Sequence, residues 1–574
     1  MEEKKYGAVA SGISEWLPFL LILLAYSLKI FAGYAYIPVR SDEISYALVV
    51  QEPWATAPNI FFRHFNFYFA KLFTPFFLDT IETTANVSFL AALGVVGTTY
   101  LIIRTVASQT AAILGAVLVS TFPTLIYQAT WFGADLACLF WGQLALLFAV
   151  RKYVGKGRAA TNCLLSGFCM IGAIFSKEAA ICYVIPIALL MLPGATLKQF
   201  GSFMAGFALA FLFMAICDGI WAGDFFYHLN PDSYWAYLNG FNGRFDAGVA
   251  KSMNKWNATF VQTQSEMPWL LMYFFGAVVF IAINKGRSTQ RYAAFCVVLV
   301  GIISIFLRDG VLVRFNGVTA HPRFMLTMVI PVFVGFAMLL PINEEKTRAW
   351  ARGIFSFNLF ASLFFMVVFY FGTHPGYFHE LRSEWTLHNG LIHVFSFWVF
   401  LFAFGFVLYE RVRESSKLHR HVHIVSAMGL LILIGYSALW GNIMGRYEVS
   451  RRGIGGRIGK YETLGNAHAK YSEKLLIAEL APAGRELEDY IYYAYMRGMI
   501  EKRDDWERLK REFRVGGEHR SWVSWIDSIA NGDFEYILTA SDLETLNSEG
   551  AQHRLSFTHE VGIYGGNIFK INRM

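Results

Sequence analysis

Apolar runs of about 20 residues, the length that carries a helix across a bilayer, recur in this chain from Leu17 to about Trp440. No other feature narrows the fold as much. In lipid, an unpaired peptide group costs several kcal/mol, so such runs are helices that satisfy their own backbone. Hydropathy places about thirteen of them, near 16–38, 86–104, 109–128, 134–151, 160–175, 179–193, 199–221, 267–284, 291–307, 324–341, 353–372, 391–409 and 423–441. Only 16% of the residues are charged and 55% are apolar, whereas soluble domains carry roughly 25% charged residues. The expected fold is an α-helical polytopic membrane protein of about 13 transmembrane helices over residues 1–441.

From about Gly445 the chain turns polar and mixed in charge, and 442–574 is expected to be a small soluble α/β domain. Helical periodicity runs from Ala469 to Met499, and strand-like runs cover Glu535–Leu538 and Asn567–Ile571. Gly453-Ile454-Gly455-Gly456 lacks the strand–turn–helix setting of a phosphate loop and reads as linker. Met1–Ser14, with Lys4 and Lys5, leads into an apolar run too long for a signal-peptide core, so it reads as a retained signal-anchor.

Basic residues orient the spans. With the N-terminus in the cytoplasm, short inner connections hold Arg151, Lys152, Lys156, Arg158, Lys285, Arg287 and Arg291, then Lys346, Arg348, Arg352, Arg411 and Arg413. That is the positive-inside pattern. It requires a real turn at Ser176-Lys177-Glu178, since one long helix there would reverse everything downstream. An odd number of spans then puts the C-terminal domain outside. The expected location is a bacterial inner (plasma) membrane, with the domain periplasmic or extracellular.

The net charge of +7 comes without clustered basic stripes, so no nucleic-acid partner is expected. Cys138, Cys163, Cys169, Cys182, Cys217 and Cys296 all lie in or beside apolar runs, which implies neither a disulfide framework nor a zinc site. Four outer segments stand out: 39–85, 222–266, 308–323 and 373–390. In the first, Ile60, Phe61, Phe65, Phe69, Leu72 and Phe73 recur near helical spacing, with Arg63, His64 and Lys71 on other faces. This reads as interfacial helix. The second, with Asn239-Gly240-Phe241-Asn242-Gly243, is rich in turn chemistry.

The candidates for chemistry gather at outer ends. Asp42 and Glu43 follow the first span, where a carboxylate suits general-base catalysis on an acceptor hydroxyl or amine; a hydrated helix exit is the competing reading. Asp135 opens the fourth span, where an acid facing lipid is costly; it either faces a cavity or complements the helix N-terminus. Lys177 and Glu178 form a tight outer turn and are either functional or a self-neutralising, snorkelling pair. Arg308, Arg314 and Arg323 flank the tenth span, and guanidinium groups suit phosphate; headgroup anchoring is the alternative. A divalent metal ion shared by Asp42, Glu43 and His64 is only weakly indicated, because no ligand spacing supports it.

In order along the chain, these residues resemble the integral-membrane C-type glycosyltransferases (GT-C), which use polyprenyl- or dolichyl-phosphate sugars. Ser41-Asp42-Glu43-Ile44-Ser45-Tyr46-Ala47 looks like that family's first-loop acidic motif. Asp135 is similar to its second acidic position, and Ser176-Lys177-Glu178 to its Ser/Thr-Lys-Glu turn. Pro322-Arg323-Phe324 through Pro331 is similar to its Arg-aromatic pattern. The plan is closest to the lipid A aminoarabinose transferases and the protein O-mannosyltransferases. One departure is Phe61-Phe62-Arg63-His64-Phe65-Asn66, which stands where a His-Pro-Pro-Leu-like stretch is expected.

The resemblance implies an inverting transferase acting on the extracytoplasmic face, with a polyprenyl-phosphate-linked sugar as donor and a lipid, glycan or protein as acceptor. It makes Asp42 the base, with Glu43 and Asp135 in support. Arg323, Lys177 and Arg308 would hold the donor phosphate, and Glu178, Arg63, His64 and Tyr46 would contact substrate. The rival class is a polytopic transporter or lipid/glycan flippase. Against it, no inverted repeat is visible, and the candidates lie on one face rather than at the midplane.

Overall fold

The structure is a computed structural model that describes residues 16–30, 46, 50, 64–77, 80–129, 131–221, 223–226, 273, 277, 278, 281, 288–306, 326–340, 475–477, 535–539, 543–563 and 566–574. The chain divides into two compact units. One comprises Met1–Ala35, Thr56–Ala70 and Ala85–Arg451; the other comprises Tyr36–Ala55, Lys71–Thr84 and Arg452–Met574.

The described helices that lie wholly or mostly in the larger unit begin with α1 (Trp16–Leu28), α2 (His64–Phe73), α3 (Thr80–Val106), α4 (Gln109–Ser120) and α5 (Pro123–Gln128). After them come α6 (Ala134–Tyr153), α7 (Ala159–Ile174), α8 (Val184–Met191) and α9 (Leu197–Trp221), then α10 (Ser288–Phe306) and α11 (Leu326–Met338). Among the described residues, three stretches are long and apolar enough to cross a membrane: Glu82–Val106, Ala134–Tyr153 and Leu197–Trp221. The expected spans at 353–372, 391–409 and 423–441 lie outside the described residues, as does most of 267–284.

Two expected spans are not single helices. The 109–128 run breaks at Thr121–Phe122, where Pro123, lacking an N–H, starts α5. Side chains of α1 and of the residue after it take backbone carbonyls around this break. Tyr26 donates to the Leu125 carbonyl at 3.2 Å, and the buried Lys29 ammonium to the Ser120 carbonyl at 3.3 Å. Side-chain donors of this kind are what make an interrupted helix tolerable in an apolar setting. The 179–193 run opens as a 3-10 helix, Glu178–Tyr183, before α8.

Contacts within the unit fix which helix ends meet. Gly94 lies under the Phe140 ring and Thr98 donates to Gln143 at 2.8 Å, so α3 and α6 run the same way. Ser166 donates to the Ala145 carbonyl at 2.9 Å, and Asn162 to the Lys156 carbonyl at 2.7 Å, so α7 runs back along α6. Lys152, at the end of α6, donates to the carbonyls of Met191 at 2.5 Å and Pro193 at 2.8 Å, just past α8. Tyr292, near the start of α10, donates to the Leu189 carbonyl at 2.9 Å, and Gln290 donates to the carbonyl of Met338, at the end of α11. One end of the unit therefore gathers Arg104, Arg151, Lys152, Lys156, Arg158 and Arg291. The alternation is the one expected from charge, and 176–178 is a real reversal.

Helices α7 and α9 cross with backbones in contact. A Cβ built at Gly206 would run into the Leu164 carbonyl oxygen, and one at Gly167 into the Phe203 carbonyl oxygen. Small residues at such a crossing are how apolar helices associate where no hydrophobic force separates helix from lipid. Gly206→Val is expected to lower stability by roughly 1–3 kcal/mol, read as a lower Tm in detergent. Gly201→Ala on the same helix, with open space around it, is expected to leave Tm unchanged.

The smaller unit contains a four-stranded sheet, β1 (Leu475–Ile477), β2 (Tyr536–Thr539), β3 (Leu555–Ile563) and β4 (Gly566–Arg573), in the order β1-β2-β4-β3. β1 and β2 are parallel, and the other pairs are antiparallel, with a register shift between His559 and Val561. Helix α12 (Leu543–Gly550) lies against edge strand β3, where Asn547 bonds both backbone groups of Phe557, at 2.6 and 3.3 Å. That occupies part of an edge otherwise open to strand pairing. Within the helix expected over Ala469–Met499, β1 replaces helix at Leu475–Ile477, and the rest of that stretch lies outside the described residues. Leu475-Leu476-Ile477 is a continuous apolar triplet, the pattern of a parallel strand, and periodicity cannot tell so short a run from helix.

Candidate active site

The end of the unit opposite the basic residues is built around the break after α7. Ser176, fully buried, turns its hydroxyl back to the Gly172 carbonyl at 2.7 Å. Such back-bonding competes with the helix ladder and bends helix ends. Lys177 then adopts extended backbone (φ −165°, ψ 139°) and Glu178 opens the 3-10 turn. Across from it, α6 starts without a side-chain cap at Gly133, which leaves Asp135 in the first turn.

The Lys177 ammonium and the Asp135 carboxylate form a buried ion pair. Two of the expected readings change accordingly. Lys177 is 5% exposed, so it does not snorkel to solvent, and it has an acidic partner in Asp135. Asp135 faces this cation as well as the α6 N-terminus, whose partial positive charge also favours a carboxylate. Two opposite charges taken from water this way stabilise each other, and removing either takes that compensation from the second.

Helix α2 docks on the same break. The Phe65 amide donates to the Phe175 carbonyl at 3.3 Å, one of the orphan acceptors every helix end leaves. The Phe65 ring packs edge-on against Trp141, Phe168 and Phe213, with centroids 5.2, 5.8 and 5.3 Å away. The interfacial reading is therefore corrected for the first part of α2. His64, Phe65, Asn66, Phe67, Tyr68 and Ala70 are all buried, whereas Leu72 at its end is exposed.

That burial brings together three further polar groups. His64 Nδ1 lies 3.0 Å from the Tyr68 hydroxyl, one helical turn along α2. Tyr68 donates to the carboxylate of Asp218, near the end of α9, and packs at a tilt against Trp221, ring centroids 5.2 Å apart. Asp218 is completely buried. Tyr68 and Asp218 were not among the expected site residues, although a lone acid inside the apolar run 199–221 is a signal that reading alone could catch.

Of the expected site, the structure brings Asp135 and Lys177 into contact and sets His64 at the same end, in the Tyr68–Asp218 cluster. Tyr46 is buried and belongs to the smaller unit. Asp42, Glu43, Arg63, Arg308 and Arg323 lie outside the described residues, as does the Glu178 side chain. No group of three metal-ligating side chains occurs among the described residues. The expected Asp42/Glu43/His64 ion site has two members outside them. All six cysteines are buried free thiols. An apolar groove of about 220 Å³, lined by residues such as Met170, Ile187, Met191 and Phe203, reaches toward the basic end and not toward the ion pair.

No family profile matches the chain, and no curated protein matches it either. Among solved structures, the chain is similar to ArnT from Cupriavidus metallidurans in the apo state, at 14% identity and a TM-score of 0.49, covering 98% of each chain. It is similar to the same protein bound to undecaprenyl phosphate, at 14% identity and TM-score 0.49, over 97% of this chain and 98% of that one. It is also similar to the Archaeoglobus fulgidus oligosaccharyltransferase in the apo form, at 13% identity and TM-score 0.45, over 94% of this chain and 71% of that one.

Proposed function

We propose that this protein is a membrane-embedded, inverting glycosyltransferase that moves a sugar from a polyprenyl-phosphate carrier to a lipid, glycan or protein acceptor on the extracytoplasmic face. One observation carries the reading. Asp135 and Lys177, 42 positions apart, belong to two motifs that the sequence resemblance assigns to one site, and their side chains meet in a buried ion pair at the end away from the basic residues. A charge pair enclosed in apolar helices is costly to maintain, and ionisable groups in such segments commonly serve a polar substrate.

In this reading the acceptor oxygen attacks the anomeric carbon as the bond from that carbon to the phosphate oxygen breaks. The acceptor proton passes to Asp42, and polyprenyl phosphate leaves as the free carrier. Glu43 and Asp135 orient the acceptor and sugar. Arg323 and Arg308 hold the phosphate by forked, charge-assisted bonds. Lys177 joins them by sharing its ammonium between Asp135 and the phosphate. Arg63, His64, Tyr46 and Glu178 contact the substrates. Asp42, Glu43 and His64 would be the residues to hold a divalent ion, which would supply Lewis-acid chemistry.

Purified protein in nanodiscs, supplied with defined polyprenyl-phosphate sugars and a membrane-lipid acceptor mixture, is expected to release free polyprenyl phosphate and label an acceptor. No release, together with carrier lipid crossing the bilayer of proteoliposomes, would replace the transferase with a flippase.

A further inference from the structure

The apolar groove at the basic end takes no part in the ion-pair site, and its walls have a local cause. Helices α7 and α9 approach closely at Gly167 and Gly206. The third wall is α8, only eight residues long. There Ala188, and beyond the helix Ala195, contribute only methyl groups to a lining otherwise built from larger residues such as Met170, Phe203 and Phe207. Most of α9 is unburied, so the groove opens toward lipid. On α7 its lining runs from Cys163 to Ile174, about three turns or ~16 Å of helix. That is close to half of a ~30 Å hydrocarbon core, the depth of one leaflet.

Charge sits at one end of it only. Lys152 donates to the carbonyls of Met191, a lining residue, and of Pro193. This brings the 151–158 loop, with Arg151, Lys156 and Arg158, to the end where Lys198 precedes the lining residue Gln199. None of these four cations forms an ion pair. The segments 151–177 and 179–217 contain no Asp or Glu, so α7, α8 and the start of α9 supply no anion to neutralise them. Leu192, Leu197 and Phe200 are exposed beside them. Unneutralised cations at the mouth of an apolar groove one leaflet deep complement an anion that carries a hydrocarbon chain. Basic pockets between membrane helices hold phospholipid headgroups in this way.

We propose that this groove binds an anionic phospholipid, with one acyl chain between α7, α8 and α9 and the phosphate among Arg151, Arg158 and Lys198. The polyprenyl-phosphate carrier is a poorer fit, because in the transferase reading its phosphate is held at the opposite end, with Lys177. From that reading the proposal takes only the side of the membrane, which makes the lipid one of the cytoplasmic leaflet.

The test uses the full chain, purified in detergent and stripped of co-purified lipid. It is titrated with phosphatidylglycerol or with phosphatidylcholine of the same acyl chains, and bound lipid is read by native mass spectrometry. Phosphatidylglycerol is expected to bind roughly tenfold more tightly. Lys198→Gln, at an exposed position, is expected to weaken phosphatidylglycerol binding about fivefold, the weight of one cation at a charged lipid surface, and to leave phosphatidylcholine binding unchanged. Ala188→Phe fills the groove and is expected to abolish the tight binding. Ala195→Phe, at an exposed loop position, repeats the test if Ala188→Phe does not fold. Equal binding of the two lipids by the native protein leaves only ordinary boundary lipid and overturns the proposal. So does a Lys198→Gln variant that binds both lipids as the native protein does, or tight binding that survives the phenylalanine variants. Displacement of phosphatidylglycerol by an equal concentration of polyprenyl phosphate gives the groove to the carrier's tail, and a dimer that the phenylalanine variants abolish gives it to a second copy; either result overturns the proposal. The readout is lipid mass, so these results stand apart from whether the protein transfers a sugar.

Discussion

Lys177→Met is expected to destabilise the protein by about 3–5 kcal/mol, because it takes the Lys177 cation away from the buried Asp135 carboxylate. Asp135→Asn is expected to cost a similar amount by removing the anion beside the buried ammonium. The double variant Asp135→Asn/Lys177→Met removes both charges and keeps similar volumes, so most of the loss is expected to return, since a buried pair replaced together is often neutral for stability. Activity is expected to behave differently and stay low in all three. The check is a double-mutant cycle, with thermal or chemical unfolding in one arm and transfer from a polyprenyl-phosphate sugar in the other. Recovery of both stability and transfer in the double variant would make the pair purely structural. Failure of stability to recover would mean that one partner holds the fold through another contact.

Asp42→Asn is expected to cut transfer by roughly 10²–10⁴-fold, the usual weight of a positioned general base, with little change in Tm. The amide keeps size and polarity but cannot take a proton. Glu43→Gln is expected to fall between this and wild type. Transfer near the wild-type rate in Asp42→Asn, with membrane insertion checked, would remove Asp42 as base and make its place after the first span a hydrated helix exit.

The helices were legible because their signal is local. Apolar length alone located α6, α7 and α9 to within two residues and α3 to within six, and the run of cations anticipated which ends gather. The turn at Ser176-Lys177-Glu178 could be anticipated from charge, and the structure explains it locally through the Ser176 bond to Gly172. Local reading failed where identity of pattern hides difference of setting. In α2 the aromatic spacing is helical in both readings, but whether the helix lies on lipid or inside the bundle depends on Trp141, Phe168 and Phe213, which are distant in sequence. In the smaller unit, β1 is three residues long and owes its conformation to pairing with Tyr536–Leu538, about sixty positions on.

By itself, then, the sequence determined where most of the apolar helices between 80 and 221 lie and which of their ends carry the cations. Hydrophobic length and charge bias act within a segment and can be read one segment at a time. Only the tertiary structure decided that Lys177 pairs with Asp135 and that Tyr68 reaches Asp218, 150 positions away. Those choices depend on which helix ends are brought side by side. In an apolar interior, each buried charge or hydroxyl must take whatever partner that arrangement supplies.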